Sequence, residues 1–469
     1  MNKHLITYIA ILTLVVLTSC KVSKDITTPA APLPTTYRDA TNPDTASIAA
    51  IHWKTFFTDA ALQKLVDSAI INNYDLQVAV KNIEAAQLIV KQSKLGYLPD
   101  ANVQVGASIN RPSDNSLNGL SLSQFLKKSY IEDYSAGIVL SWEADIWGKI
   151  KNQKAKALAA YLQTTEAKKA IQTNLVANVA KGYYNLLMLD AQLKIANKNL
   201  LLNDSTLRII KLQFQAGQVT ALGVEQAEAQ RLVAVQLIPL LQQEITVQEN
   251  ALSILTGVLP AAVQRTGDIS NTVFTDSLSA GVPTALLSNR PDVRSNELAL
   301  NIANANTGIA KANMYPSLTI TAAGGINAFK ASNWFNIPAS LFGTVTGGIT
   351  QPLFQRKQLK TQYELAKVDR EKTVIQFRQS VLTAVGEVSD ALVKTNKLKE
   401  QESIAATRIS TLQQAIANAD LLFKNGMATY LEVITAQSNT LQGELELASL
   451  KKDQLNAVVD LYRALGGGQ

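Results

Sequence analysis

Cysteine and histidine, two residue types that often act in catalysis and metal binding, are scarce in this chain of 469 residues. Cys20 is the only cysteine, and His4 and His52 are the only histidines, so the chain can form neither an internal disulfide nor a Cys/His zinc site. The GxSxG, HExxH and GxxxxGK(S/T) motifs are absent. Carboxylates could act without such partners, but no acidic pair stands out. The sequence therefore predicts that the chain is not an enzyme and has no metal site.

Cys20 lies where covalent attachment of lipid is expected. The thirteen residues 5–17 are an apolar stretch that suits a signal peptide and is shorter than the roughly 20 residues of a spanning helix. Leu17-Thr18-Ser19-Cys20 resembles a bacterial lipobox, whose cysteine receives the lipid. We expect a lipoprotein signal peptide at 1–19, a lipidated extended tether at 20–43, and no cofactor besides the lipid on Cys20. An ordinary secretory signal is the alternative.

Charge and proline spacing restrict the class of the mature chain. Lys and Arg number 44 against 37 Asp and Glu, without basic blocks, so we expect no nucleic-acid partner. No proline lies between Pro112 and Pro239 or after Pro352. Because proline breaks helices, these gaps indicate long helices rather than a series of compact domains.

The chain contains an internal repeat. Phe214-Gln215-Ala216-Gly217 is matched 209 positions later by Phe423-Lys424-Asn425-Gly426, and residues 252–257 match 461–466 at the same spacing. Each half predicts a helix, two strands, a very long helix, a turn and a long helix. The predicted boundaries are 44–257 for the first repeat, 258–283 for a connection and 284–469 for the second repeat.

The strands alternate apolar and polar residues and have about the length that a tilted strand needs to cross a bilayer. They are predicted at residues 102–110, 134–142, 318–327 and 341–350, with polar loops at 111–129 and 328–340. Four strands cannot close a barrel, and lipid does not tolerate open edges, so several chains would have to share one barrel. Three copies would supply twelve strands. A soluble sandwich with its apolar face in a core is the alternative.

The helices show the spacing of a coiled-coil seam. Steps of three and four from Val224 to Leu255 reach mainly apolar residues, and the second half keeps the register from Val433 to Ala464. Residues 143–214 as one helix would be about 105 Å long. Pro239 lies inside the helix that begins near Val224, and we expect it to kink or interrupt that helix.

Further residues point to a known family. Asn289-Arg290-Pro291-Asp292-Val293-Arg294 and the helix up to Tyr315-Pro316 form one motif, and Trp142-Glu143 with Trp147-Gly148-Lys149 form a second. A third motif consists of Trp53, Phe56, Phe57, Asp59, Leu62, Asn73, Asp75 and Leu76. Together they resemble the TolC/OprM/NodT outer-membrane factors, the exit ducts of tripartite efflux pumps and of some secretion systems. The resemblance covers the chain from Trp53 to the C-terminus.

The resemblance implies a mainly α-helical fold with membrane β-structure. Three chains would form a homotrimer whose twelve-stranded transmembrane β-barrel takes four strands from each chain. Their coiled-coil hairpins would form a tunnel in the periplasm. The N-terminal residues, the 258–283 connection and the C-terminus would form an equatorial region. The protein would lie in the outer membrane, in contact with its lipid and anchored through Cys20.

The resemblance also implies two functional regions near the hairpin turns. The tips around Gly217 and Gly426 would lie at the periplasmic end, where an adaptor protein docks. The expected contact residues are Leu222, Val224, Leu431 and Val433, for which packing within the tip is the alternative.

A periplasmic gate is the second region that the resemblance implies. The family narrows its tunnel with acidic rings, often two residues spaced by three, and the matching positions here are Glu432 and Thr435. Three copies of Glu432 would attract cations and raise one another's pKa values by repulsion. Because Thr435 departs from the pattern, closure by charge should be weaker. The alternative is that Glu432 is simply an exposed residue of its helix, without a role in a gate.

The resemblance implies a passive duct of an RND-type efflux system that exports small molecules or drugs. Its partners would be a periplasmic adaptor, or membrane fusion protein, and an inner-membrane RND transporter. An exit duct for an ABC transporter in type I secretion has the same architecture and is the main alternative. Metal efflux is disfavoured because Met188, Met314 and Met427 form no cluster. A periplasmic coiled-coil lipoprotein without a channel is the alternative from another class.

Overall fold

A computed structural model describes residues 34–38, 47–265, 267–272, 274 and 279–469. Cys20, the predicted signal peptide and most of the predicted tether lie outside the described residues. The strands are β1 Asp100–Asn110, β2 Ile131–Ala144, β3 Ser317–Ala328 and β4 Leu341–Thr350. The α-helices are α1 Trp53–Phe56, α2 Ala60–Asn72, α3 Tyr74–Leu95, α4 Leu117–Leu126, α5 Lys149–Gln215, α6 Ala221–Leu255, α7 Leu286–Asn289, α8 Pro291–Ala312, α9 Gln358–Lys424 and α10 Tyr430–Ala464.

The long helices repeat at the spacing found in the sequence. α5 and α9 are each 67 residues long, and α6 and α10 are each 35 residues long. Lys149 and Gln358 begin the first pair, and Ala221 and Tyr430 begin the second, so both pairs are offset by the predicted 209 positions. In the described part of the chain, no helix is both long enough and apolar enough to cross a membrane.

The predicted seam of α6 is the buried side of that helix. Ala227, Ala234, Leu241 and Leu252 are all buried. Pro239 is exposed between two of them and α6 continues through it, so of the expected kink or interruption the interruption is wrong. The buried residues on both sides of the proline hold the helix in place, which offsets the hydrogen bond that proline cannot make.

The start of α5 differs from the sequence-based expectation. β2 continues to Ala144, and α5 begins at Lys149 rather than at Glu143. The carboxylate of Asp145 accepts hydrogen bonds from the backbone N–H groups of Ile150 and Lys151, both at 2.9 Å. These bonds satisfy two N–H groups that have no partner within the first turn of a helix, and so they set its beginning.

The strands form one antiparallel sheet in the order β1-β2-β3-β4. Val103 pairs with Ile138, Leu140 pairs with Ala322, and Ala322 pairs with Val345. Because side chains alternate between the faces of a sheet, these five residues share one face with every second residue of each strand. β1 and β4 are the two edges, and neither has a further partner strand among the described residues.

The chain divides into two compact units that do not follow the two repeats. The first unit contains residues 84–162 and 298–375, and therefore the sheet. The second contains residues from 30–83, 163–297 and 376–469. Each repeat contributes to both units, so neither repeat forms a compact body of its own.

The core of the second unit brings together the two chain ends and the connection. One cluster buries Trp53 and Phe57 from the N-terminal part, Ile269 from the connection, Leu286 from α7 and Leu461 from the C-terminal helix. The ring of Phe56 stacks on that of Tyr462 with centroids 4.0 Å apart. The Tyr462 hydroxyl donates to the carbonyl oxygen of Ile51 at 2.7 Å. These contacts explain why the third sequence motif, which begins at Trp53, contains apolar residues.

Polar residues of the same motif position the first helices. Asp59 accepts hydrogen bonds from the N–H groups of Ala61 and Leu62 at the start of α2, and its second oxygen accepts from the Tyr183 hydroxyl at 2.8 Å. Asn73 accepts at 3.2 Å from the N–H of Leu76 in α3. The motif is therefore a set of caps and core residues for the second unit.

Two expectations from the sequence are corrected within the described residues. Tyr37, inside the predicted extended tether, is only 4% exposed and packs in the core of the second unit. Its ring gives it enough apolar area to pack despite the prolines around it.

The first predicted loop contains the helix α4, which Ser116 caps by accepting a hydrogen bond from the N–H of Gly119 at 3.1 Å.

Candidate functional site

The two hairpin turns have the same backbone geometry. Gly217 and Gly426 have φ angles of 75° and 72°, in the left-handed region that favours glycine. In each turn the glycine N–H and the N–H after it donate back to carbonyls of the preceding helix, which is a common way of ending a helix. Both glycines are exposed, as the sequence predicts for hairpin tips.

The two tips pack against each other through one small apolar cluster. We call it the tip cluster, and its buried members are Leu207, Ile210, Ala227, Phe423 and Val433. These residues come from all four long helices. The tip cluster is separate from the main core of the same unit.

The four predicted adaptor contacts divide between surface and interior. Leu222 and Leu431 are exposed and occupy equivalent positions in the two repeats. Val224 is half-buried against the tip cluster. Val433 is 2% exposed and lies within the cluster, so its assignment as a contact residue is wrong. The reason is that Leu207, Ile210 and Phe423 converge on it from the other helices.

The side chain of Glu432 belongs to a capping box at the start of α10. Its carboxylate accepts a hydrogen bond from the Thr429 N–H at 2.9 Å and a second one from the Thr429 hydroxyl. Thr429 in turn accepts from the N–H of Leu431 at 3.3 Å. Hydrogen bonding by Thr429 holds the pKa of Glu432 below its usual value. The spacing Thr-x-x-Glu is a known capping signal, and it could have identified this role from the sequence.

The first tip lacks this capping box. Thr220 precedes α6 at the position equivalent to Thr429, but its side chain makes no capping hydrogen bond. Gly223 stands where the second repeat has Glu432, and a side-chain carbon there would come within 2.9 Å of the Tyr430 ring. Glu432 and Thr435 are both exposed, so none of the described residues covers the two predicted gate residues.

The motif around Arg290 forms an ion-pair network in the second unit, in which the guanidinium is buried and its two carboxylate partners are partly exposed. The Arg290 guanidinium donates to both oxygens of Asp292, at 3.0 and 2.6 Å, and to Glu387 at 2.9 Å. It also donates to the carbonyl oxygen of Ala464 at 3.1 Å, at the end of α10. Burial opposes ionisation of Asp292, but hydrogen bonds and charge from Arg290 outweigh it and lower the pKa of Asp292. Through Arg290, the motif therefore connects α8, α9 and the end of α10.

The sheet of the first unit has one apolar and one mainly polar face. On the apolar face the exposed residues are Val103, Val105, Ile109, Ile138, Leu140, Trp142, Ile320, Leu341, Val345 and Ile349. The opposite face carries Asn102, Gln104, Ser108, Ser135, Ser141, Thr319, Thr321, Asn327, Thr344 and Thr346. A water-soluble sheet normally covers its apolar face. An exposed apolar face on this scale indicates contact with another chain or with lipid.

Comparisons with known proteins agree with this arrangement. The family model described as outer membrane efflux protein matches residues 65–258 and 282–467. The chain is 30% identical to the solvent efflux pump outer membrane protein SrpC of Pseudomonas putida, over 97% of each protein. It is 28% identical to the cation efflux system protein CusC of Escherichia coli strain K12, covering 96% of this chain and 97% of CusC. SilC of Salmonella typhimurium, a probable outer membrane lipoprotein, is 26% identical over 98% of each protein.

The fold agrees with that of a solved relative. A crystal structure of CusC superposes with a TM-score of 0.85, over 96% of this chain and 100% of that one, at 28% identity. The CusC structures concern the conformational changes that accompany folding and transmembrane channel formation in that protein. Because the family model and these relatives cover most of the sequence, the chain belongs to the outer membrane efflux protein family.

Proposed function

We propose that this chain forms a passive exit duct through which a tripartite efflux system moves small molecules across the outer membrane. The observation that carries the proposal is the exposed apolar face of the four-stranded sheet. That face suits the lipid side of a membrane-spanning sheet, while the polar face suits a water-filled lumen. The long helices that follow β2 and β4 would supply the wall of the periplasmic tunnel.

The duct requires more than one copy of the chain. The edges of β1 and β4 leave backbone N–H and C=O groups without a partner strand among the described residues. Such groups are costly in hydrocarbon, so a membrane-spanning sheet must be closed. A homotrimer that joins β4 of one copy to β1 of the next would give twelve strands and a lumen wide enough for water.

A periplasmic adaptor and an inner-membrane RND transporter are the proposed partners. Leu222 and Leu431, exposed at equivalent positions of the two tips, are the residues that could reach an adaptor. We expect Leu431→Asp to weaken crosslinking to the adaptor without changing the trimer, whereas Leu201→Asp, at an exposed leucine on α5, should leave crosslinking unchanged. An ABC transporter of type I secretion is the second candidate partner for the same architecture.

We further propose that three copies of Glu432 form a gate ring. The carboxylate is exposed and its ionised form is favoured by Thr429. A ring of such charges would attract cations. Glu432→Gln should therefore lower the cation preference of single channels in planar bilayers, whereas Glu225→Gln, an exposed acid of the first tip, should not. Equal effects of the two substitutions would argue against the gate.

The lipid anchor is proposed on Cys20, which lies outside the described residues. Its support is the lipobox-like sequence and the relative SilC, which is named a probable outer membrane lipoprotein. Cys20→Ser should abolish incorporation of labelled fatty acid, and normal labelling of that variant would contradict the anchor.

The duct itself is tested with the full-length lipidated protein in detergent. We expect a particle mass of three chains and stepwise ion conductance after reconstitution into planar bilayers. A monomer that stays in solution without detergent and produces no conductance would show the proposal to be wrong.

A further inference from the structure

The end of the sheet where β4 passes toward α9 exposes two adjacent apolar side chains. We call residues 351–360 the junction segment. Leu353 and Phe354 within it are 92% and 87% exposed, more than any other large apolar side chain in the described residues. Because they follow β4 after Thr350, they lie at the same end of the sheet as the end of β2 and the start of β3. In a membrane-spanning sheet this end meets the headgroup layer.

Aromatic side chains at the same end support that placement. The Trp142 indole N–H donates to the carbonyl oxygen of Tyr97 at 2.9 Å, and both residues are exposed. The Trp147 ring stacks on Tyr315 with centroids 4.8 Å apart. Rings with one polar group concentrate at membrane–water boundaries, because one part prefers the hydrocarbon and the other prefers water. These four residues therefore mark a boundary at this end of the sheet.

Three cations of the junction segment have no counter-charge among the described residues. Arg356, Lys357 and Lys360 are exposed, and none pairs with a carboxylate in the part of the chain that the structure describes. In the first repeat, Lys149 at the start of the long helix is neutralised by Glu143 at 2.8 Å, while Lys151, equivalent to Lys360, has no ion pair among the described residues. An anion from outside the chain would satisfy the second repeat's cations.

The repeat also shows that Lys357 is not required by the backbone. It occupies the position equivalent to Gly148, 209 residues earlier, immediately before the long helix. Both residues adopt positive φ angles, 61° for Lys357 and 75° for Gly148. Glycine adopts this conformation at no steric cost, whereas lysine does so with strain. A cation therefore stands at a position where glycine would serve the turn better.

We propose that Arg356, Lys357 and Lys360 bind the phosphate groups of anionic phospholipids while Leu353 and Phe354 insert among the acyl chains beneath them. The argument is charge complementarity beside an apolar anchor, which is how peripheral segments bind anionic membrane surfaces. The inference rests on the proposed membrane placement of the sheet and adds a lipid class to it.

A second copy of the chain at the edge of β4 is the competing occupant. β1, the strand that would pair there, has one acidic residue, Asp100, among the residues Asp100–Asn110. Asp100 could neutralise at most one of the three cations. Anionic lipid can neutralise all three, and for that reason the observations favour lipid.

The test uses full-length protein reconstituted in phosphatidylcholine bilayers that contain a small fraction of either brominated phosphatidylglycerol or brominated phosphatidylcholine. Bromine quenches nearby tryptophans, and Trp142 and Trp147 lie at this end of the sheet. We expect phosphatidylglycerol to quench roughly twofold more strongly, and the excess to fall in roughly 0.5 M salt. The excess should disappear in the triple variant Arg356→Gln, Lys357→Gln, Lys360→Gln.

Two controls make the outcome specific. The triple variant Arg378→Gln, Lys194→Gln, Lys394→Gln removes the same number of exposed cations from the other unit and should keep the excess. A charge-preserving exchange, Arg356→Lys with Lys357→Arg, should also keep it, because the excess depends on the charges and not on which basic side chain carries them.

The possible failures are distinguishable. Equal quenching by the two lipids in the unmodified protein, or an excess that survives the junction triple variant, overturns the lipid proposal and leaves the duct intact. Loss of the trimer in that variant, with an unchanged lipid preference, would instead assign the segment to a second copy. Absence of quenching by either lipid would overturn the membrane placement itself.

Discussion

At the scale of single residues, Glu432 combines a structural role with the proposed gate. Its carboxylate accepts two hydrogen bonds from Thr429 at the start of α10. Substitution of Glu432 therefore alters the helix start as well as the charge at the tip. Thr429 separates these effects, because it belongs to the same cap and carries no charge.

Thr429→Ala should destabilise the start of α10 by about 1 kcal/mol, the usual effect of losing an N-cap side chain. Hydrogen–deuterium exchange should accelerate in the first turn of α10. Thr220→Ala is the matched control, because Thr220 makes no capping hydrogen bond and its loss should change exchange much less. Equal acceleration at the two tips would contradict the role assigned to the capping box.

Arg290→Met should reduce the free energy of unfolding by about 1–3 kcal/mol, because Asp292 and the Ala464 carbonyl lose their donor, while Glu387 keeps its pair with Arg463. Urea denaturation in detergent measures the change. Arg294→Gln is the control, since its exposed pair with Glu297 should contribute at most about 1 kcal/mol.

The same network predicts a dependence on pH. The folded-state pKa of Asp292 is lowered, so its stabilisation is complete above the pKa of an unfolded carboxyl and is lost as the pH falls through the lower folded value. The stability difference between the protein and the Arg290→Met variant should therefore narrow on acidification. A difference that grows as the pH falls would contradict the assignment.

At the scale of elements, α6 shows that packing can preserve a helix through a proline. Pro239 is exposed, whereas Ala234 and Leu241 on either side are buried. The tertiary contacts of these neighbours compensate for the intrinsic helix preference that proline lacks.

Pro239→Ala should raise the free energy of unfolding by up to about 3 kcal/mol, because alanine restores the backbone N–H and removes the ring. Urea denaturation measures the gain, and Gln243→Ala at another exposed position of α6 should change stability little. A loss of stability in Pro239→Ala would show that packing depends on the proline.

At the scale of the whole molecule, the two faces of the sheet should respond in opposite ways to charge. Val105 and Gln104 are neighbours in the middle of β1 and lie on the apolar and polar faces, respectively. If the apolar face contacts lipid, only its residues must leave water during insertion.

Val105→Lys should therefore reduce membrane insertion, with a cost of about 2–4 kcal/mol for lysine near the bilayer midplane, whereas Gln104→Lys should insert normally. Heat-modifiable migration of the protein from outer-membrane fractions measures insertion. Normal insertion of Val105→Lys together with failure of Gln104→Lys would reverse the assignment of the two faces.

The sequence by itself determined the elements and their repetition. Alternation in the strands, helical spacing from Val224 to Leu255 and the turns at Gly217 and Gly426 are local patterns, and the structure confirms each of them. Such patterns are readable because the periods of strands and helices depend on neighbours along the chain. The capping box at Thr429 was equally local and could have been read from the sequence.

Only the tertiary structure decided which of these residues face other parts of the chain. Val433 and Leu431 are both aliphatic and lie two residues apart, yet Val433 lies in the tip cluster and Leu431 is exposed. Tyr37 is buried although its neighbours suggest a tether, and both repeats contribute to each compact unit. Burial depends on partners that are distant in sequence, such as Leu207 and Phe423 for Val433, and no local period records them.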